Sequence, residues 1–204
     1  MPPDLPTLLA FDTSAAHCAV ALLSGGVIVA HKAEEMGKGQ AERLMPMIEE
    51  VLGEAGKGWS DLDAIGVGVG PGNFTGVRIS VAAARGIALG LGKPAIGVTT
   101  FEALASGQPG AIRVTLDGRR NQIFWQDFQD GAAISDPVMT DIYEASTDAE
   151  MIGFLGDGAV NPDPAVIAQI AAGRIGTDQP RPKPLYLRSA DAALPSEPPV
   201  VILS

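Results

Sequence analysis

Apolar and polar positions in the first third of the chain fall into short runs separated by turn residues. Thr7 to Asp12 is apolar up to its acidic end. Cys18 to Leu23 repeats the run, and Ser24-Gly25-Gly26 turns into a third from Val27 to Ala33. Runs joined this tightly pair antiparallel, which predicts a three-stranded meander. Glu34 to Gln40 is polar and contains glycines, so it predicts a loop. From Ala41 to Gly56 the period changes to that of a helix. At 100° per residue, Leu44, Met47, Ile48, Val51, Leu52 and Ala55 share one arc with Met45 at its edge, and Glu42, Glu49, Glu50 and Glu54 lie opposite or on the flanks. Pro46 falls inside this pattern, where it either kinks the helix or marks its first turn.

Ala64 to Val69 predicts a short strand, and Gly70-Pro71-Gly72-Asn73-Phe74-Thr75 leads into a helix from Gly76 to Leu91 with Thr75 as N-cap. A strand at Ala95–Val98 and a short helix at Thr100–Ser106 follow. After Gly107-Gln108-Pro109-Gly110 the texture changes, with strands predicted at Ile112–Leu116 and Gln122–Phe128. Another lies near Met139, then a helix at Pro164–Ala172 and a Pro-rich tail. This divides the chain into a lobe over residues 1–107 and a smaller one over 108–204.

The helix after Thr75 is apolar on two faces. Val77, Val81, Ala84, Ala88 and Leu91 cluster on one side, and Ile79, Ala82, Ala83, Gly86, Ile87 and Gly90 cover most of the other. Arg78 and Arg85 make the only charged edge. Such a helix is buried on two faces. One face suits its own sheet. The small residues Ala82, Gly86 and Gly90, four apart, suit the close approach of another helix, supplied by this domain or by another protein.

Composition narrows the classes. Hydrophobic residues make up 46% and charged residues 19% of 204, as in ordinary globular domains. The net charge of -10 is shared by both halves, with 11 acids and 7 bases before residue 106 and 13 and 7 after it. Without a cluster of cations, strong direct binding to nucleic acid is not expected. The single cysteine, Cys18, excludes an internal disulfide and fits a reducing compartment. No leader pattern opens the sequence, and charges interrupt the best apolar window, so a cytoplasmic protein with no membrane partner is expected.

Candidate chemistry is sparse. Gly70 and Gly72 ahead of a helix N-terminus could cradle an anion, with Asp12 and Thr13 at the end of the first strand facing the same cleft and Asp12 near a nucleotide-bound Mg²⁺. The same pattern also arises as an ordinary strand-to-helix turn. The two histidines, His17 and His31, have no partner at a ligand spacing, so no metal site is expected. Cys18 sits inside a strand, and no Gly-x-Ser-x-Gly elbow occurs. Catalytic residues are therefore expected to be none. A nucleotide-binding regulator using Asp12, Gly70 and Gly72 is the alternative; peptide hydrolysis would need a metal or an activated nucleophile, and neither is visible.

Asp12-Thr13-Ser14, Ala41-Glu42-Arg43-Leu44-Met45-Pro46 and above all Gly70-Pro71-Gly72-Asn73-Phe74-Thr75-Gly76-Val77-Arg78 together resemble the bacterial TsaB (YeaZ) family. Asp117 to Phe124 and Pro184-Leu185-Tyr186-Leu187-Arg188 add to the likeness, which is densest over residues 7–105. The resemblance implies an α/β fold of two actin-like (ASKHA) lobes, mixed sheets flanked by helices, with the second lobe abridged. It implies a role in making N6-threonylcarbamoyladenosine in tRNA, as the non-catalytic partner of TsaD, the protein that transfers the threonylcarbamoyl group, with the ATPase TsaE joining the pair. A peptidase M22-like label would come from the same kinship.

In TsaD a His-x-x-x-His helps to hold a metal; here Thr100 and Leu104 stand at those positions. The nucleotide signature of the catalytic relatives has only a faint echo at Gly156-Asp157-Gly158-Ala159. No cofactor of its own is thus expected, with ATP and Mg²⁺ entering through TsaD or TsaE. The family's helical interface would draw on Met45, Ile48, Leu52, Ala82, Arg85, Gly86, Leu89 and Gly90. The same surface would pair two copies when TsaD is absent, and tRNA would be met only through the complex.

Overall fold

The computed structural model describes residues 5–158 and 161–187. The Pro-rich tail, Arg188 and Ala159 lie outside them.

The opening run folds as read. β1 (Leu8–Asp12), β2 (His17–Ser24) and β3 (Val27–Glu35) form the antiparallel meander, with Ala10 opposite Ala21. β3 runs two residues further than predicted, because Glu34 and Glu35 pair with Cys18 and His17 across the ladder. β4 (Ala64–Gly68) lies parallel to β1, and β5 (Ala95–Val98) parallel to β4, giving the order β3-β2-β1-β4-β5.

β1 is buried along its whole length because both faces of the sheet are covered. Alternation sends Leu9 and Phe11 towards α1 (Gln40–Glu54) and α2 (Phe74–Leu91). It sends Leu8 and Ala10 towards α4 (Pro164–Ala172), where Ile167, Ala168 and Ala171 close the opposite face. Gly66 of β4 lets α4 settle, since a Cβ there would stand 3.2 Å from those of Ala10 and Ala171. α4 follows the second sheet in the chain yet packs on the first, so the chain that leaves the first lobe near residue 107 returns to it.

Two helix starts differ from expectation. The N-cap of α2 is Asn73, not Thr75: its Oδ1 accepts from the N–H groups of Thr75 and Gly76, both at 3.0 Å. Pro46 is the seventh residue of α1 rather than part of its first turn. It is exposed, as is Glu42 four residues earlier, so the carbonyl left without an N–H faces water.

The second sheet repeats the pattern in shorter form. β6 (Ala111–Arg119) and β7 (Gln122–Gln129) are an antiparallel hairpin closed by Arg120 and Asn121, both at positive φ, as a two-residue type I′ loop requires. β8 (Ala132–Ala133) and β9 (Val138–Asp141) share the outer edge of β7, and β10 (Glu150–Gly153) lies parallel to β6. Meander plus parallel strand matches the first four positions of the first sheet. Among the described residues the fifth has no counterpart. α3 (Thr100–Ala105) joins the lobes and buries Phe101, Leu104 and Ala105 against Ile112, Val114 and Phe128.

Candidate functional site

The turn after β1 and the first turn of α2 meet at van der Waals distance or closer. A Cβ on Gly76 would overlap the carbonyl oxygen of Thr13, and one on Gly72 would overlap that of Ser14. Thr13 Oγ1 donates to the carbonyl of Gly76 at 2.7 Å, and Asn73 N donates to the carbonyl of Ser14 at 2.6 Å. The glycine string therefore exists so that two backbones can touch.

Asp12 is fully buried at this junction. Its Oδ1 accepts from Ser14 N at 2.8 Å and Ser14 Oγ at 2.9 Å and pairs with His17 Nε2 at 2.7 Å. Its Oδ2, without a hydrogen-bond partner, occupies the space that Gly68 leaves by having no side chain. Of the four residues assigned to an anion cleft, Asp12, Thr13 and Gly72 do converge. Gly70, at φ 85°, packs against Val77 instead. Two amides at the start of α2 are already bound by Asn73 Oδ1. The cavity of about 910 Å³ between the lobes is lined by Ser14, Gly72, Thr100 and Asp117, whereas Asp12 and Thr13 do not reach it.

Thr100 Oγ1 donates to the carbonyl of Pro71 at 3.0 Å, and Leu104 is buried in the second core. Both are committed to packing. Among the described residues, no three His, Cys, Asp or Glu side chains are grouped to hold a metal ion. His31 Nε2 lies 3.1 Å from Asp163 Oδ1, tying β3 to the N-cap of α4. Burial pushes the Cys18 thiol up to about 11, the reverse of what a nucleophile needs.

α2 shows which of its apolar faces looks outward. Val77, Ser80, Val81, Ala84 and Ala88 lie on the sheet, while Arg78, Ala82, Arg85, Gly86, Leu89 and Gly90 are exposed, Leu89 to 84%. Nothing stands within 4 Å of a Cβ on Gly86 or Gly90. Among the described residues α2 is also the one helix with the length and apolar composition to cross a membrane, a test that core helices pass as well. On α1, Met45 is 40% exposed. Ile48 and Leu52 are a correction to the expected surface: they are buried in the core, on the arc shared with Leu44 and Val51, and cannot touch a partner.

Sequence reasoning missed a strap formed by residues 182–187. Leu185 N donates to the carbonyl of Val69 at 2.8 Å, Leu185 and Leu187 pack on the second core, and Arg78 Nε donates to Tyr186 Oη at 2.8 Å. The Arg78 guanidinium lies 3.7 Å above the Phe74 ring, which stacks on Tyr186. The signal was the Pro-Leu-Tyr-Leu string, visible in the sequence but with no assigned neighbour.

A meander with two parallel strands, repeated in shortened form around an interlobe cleft, defines the two-lobed actin-like class of α/β proteins. Comparison with known proteins narrows it. The family model described as "TsaD: tRNA N6-adenosine threonylcarbamoyltransferase" matches residues 24–189. The tRNA threonylcarbamoyladenosine biosynthesis protein TsaB of Escherichia coli is 39% identical over 60% of this chain and 54% of its own length, so the chain spans about half of that relative. An uncharacterized protein of Mycobacterium tuberculosis is 30% identical over 93% of this chain and 95% of its own. The solved structure of YeaZ from Pseudomonas aeruginosa superposes with a TM-score of 0.78 at 27% identity, covering 89% of this chain and all of that one. The chain belongs to the TsaB (YeaZ) family.

Proposed function

We propose that this chain acts in tRNA N6-threonylcarbamoyladenosine biosynthesis as the non-catalytic partner of TsaD, docking on it through the outward face of α2 together with Met45. The observation that carries the reading is that face itself: Ala82, Gly86 and Gly90 leave room for a helix to approach closely, beside an almost fully exposed Leu89. Arg85 supplies a charge at its edge. The family membership supplies the pathway, and the residues at the TsaD histidine positions, Thr100 and Leu104, support a role without a metal of its own.

TsaE joins the pair, ATP and Mg²⁺ enter through TsaD or TsaE, and tRNA is met through the complex in the cytoplasm. A net charge of -10 disfavours a direct grip on phosphates. In the absence of TsaD the same face pairs two copies. A nucleotide-binding role is less favoured, because Asn73 occupies amides that a phosphate would use. Glycopeptidase chemistry is less favoured still for want of an activated nucleophile.

Light scattering after size exclusion tests the reading with this chain and TsaD from the same organism. The expected result is a mixed complex that disappears with Gly86→Leu while the variant keeps its fold. Absence of any complex, with or without TsaE and nucleotide, overturns it.

A further inference from the structure

Beyond the C-terminal end of α2 a groove of about 670 Å³ opens between that helix, the outer edge of β5 and residues 174–182. Its volume falls within the roughly 300–1,000 Å³ of ligand sites. The chain has 24 acids against 14 Lys and Arg, yet the groove reverses that balance. Arg85, Lys93, Arg174 and Arg181 line it, with Asp178 the one acid.

These four cations are not equally engaged. Arg174 donates to the carbonyl of Gly97 at 3.0 Å and pairs with Glu102, and Lys93 Nζ lies 3.6 Å from Asp63. Arg85 and Arg181 have no hydrogen-bond or ion-pair partner among the described residues. The floor between them is apolar, from Ala88, Ile96 and Pro182.

One wall is a strand edge. β5 ends the first sheet, and the bonds from Ile65 N to Pro94 O and from Val69 N to Val98 O turn Ile96 and Val98 towards β4. Alternation then leaves the backbone groups of Ala95 and Gly97 on the outer side. Arg174 takes the Gly97 carbonyl and Pro182 stands beside it, as edges are commonly blunted. Among the described residues nothing bonds the outward backbone groups of Ala95, which form an open rung inside the groove.

We propose that this groove docks an extended peptide segment of a partner protein bearing acidic side chains. Its backbone meets Ala95 as an added strand, and its carboxylates meet Arg181 and Lys93. A peptide is favoured over nucleic acid because the ligand must satisfy both a backbone rung and an apolar floor. Arg85, Gly86 and Leu89 border both the groove and the α2 face assigned to TsaD, whereas Lys93, Ala95 and Arg181 lie off that face, so variants at Lys93 and Arg181 test the groove apart from the TsaD reading.

The test is titration of the isolated ¹⁵N-labelled chain with the peptide Ac-Val-Asp-Leu-Asp-Val-Asp-NH₂ and with its counterpart carrying Lys for each Asp. The acidic peptide is expected to give saturable shifts at the Ala95 amide with a Kd below about 1 mM, and the basic one none. Arg181→Glu and Lys93→Glu, both at accessible positions, are each expected to weaken binding roughly tenfold while leaving the rest of the spectrum in place. An unmoved Ala95 amide, equal binding of the basic peptide, or unchanged affinity in both variants overturns the proposal. So does inorganic phosphate or a tRNA anticodon-stem oligonucleotide producing the same shifts at equal concentration, which would make the groove an anion or nucleic-acid site.

Discussion

Gly76 and Gly86 sit ten residues apart on one helix and carry opposite meanings. A Cβ at 76 would overlap the Thr13 carbonyl, which belongs to a backbone that cannot step aside, whereas one at 86 meets open space. Gly76→Ala is therefore expected to cost more than about 3 kcal/mol in chemical denaturation. Gly86→Ala is expected to gain about 0.4–1 kcal/mol, since it removes freedom from the unfolded chain at a helical position. A destabilised Gly86→Ala would mean that the outward face is packed. At this scale the sequence showed where the glycines lie but not what they face. The loop read as an anion cradle or as an ordinary strand-to-helix turn, and not as a close approach, because spacing carries no information about the Thr13-Ser14 backbone arriving from about sixty residues upstream. The N-cap was likewise placed at Thr75, since Thr and Asn both cap helices and residue type does not show in which turn the helix starts.

α1 was legible because its stripe is narrow. Leu44, Met47, Ile48, Val51 and Leu52 keep the helical period and face one core, with acids elsewhere. α2 was less so, since hydropathy alone cannot distinguish a face laid on a sheet from a face awaiting a partner. β8, at two residues, lies below the length at which alternation reads, and β10, at four, was not predicted. The acids of α1 proved to be connectors. Arg43 donates to Glu34 of β3 and to Glu50, and Lys32 to Glu50 and Glu54, so helix and strand are laced together. Hydrogen bonds from Arg43 and then Lys32 hold the Glu50 carboxyl down at about 2, against about 4.3 in an unfolded chain. A depressed carboxylate contributes above its unfolded pKa and loses that contribution as pH falls through its folded one. Urea midpoints are thus expected to decline from about pH 4.3 towards pH 2, and Glu50→Gln to flatten part of that decline. An identical slope in the variant would show the lacing to be solvated and idle.

For the whole molecule, the Gly- and Pro-containing stretch at residues 107–110 falls between α3 and β6, where the chain passes from the first sheet to the second. The return of α4 was not legible in the sequence. A nine-residue apolar helix announces that it will be buried, but not on which of two sheets; Gly66 and the bare side of β1 decide that. Residues 1–110 alone are expected to be insoluble or to bind the dye ANS, and co-expression with residues 111–204 to restore a soluble pair. A soluble fragment with a dispersed amide spectrum would show the sheet to be stable with one face open.

That returning helix sets a schedule for synthesis. The fifth strand of the first sheet is complete at Val98, whereas its cover ends at Ala172. At about 5–20 residues per second, the ribosome needs about 4–15 s to deliver the 74 residues between. Throughout that interval the nascent chain can pair its strands and lay down α1 and α2, but Leu8, Ala10, Ile96 and Val98 stay unroofed. The growing polypeptide thus passes through a half-covered sheet, an exposed apolar surface of the kind that chaperones shield, and it is sealed only once α4 has been made.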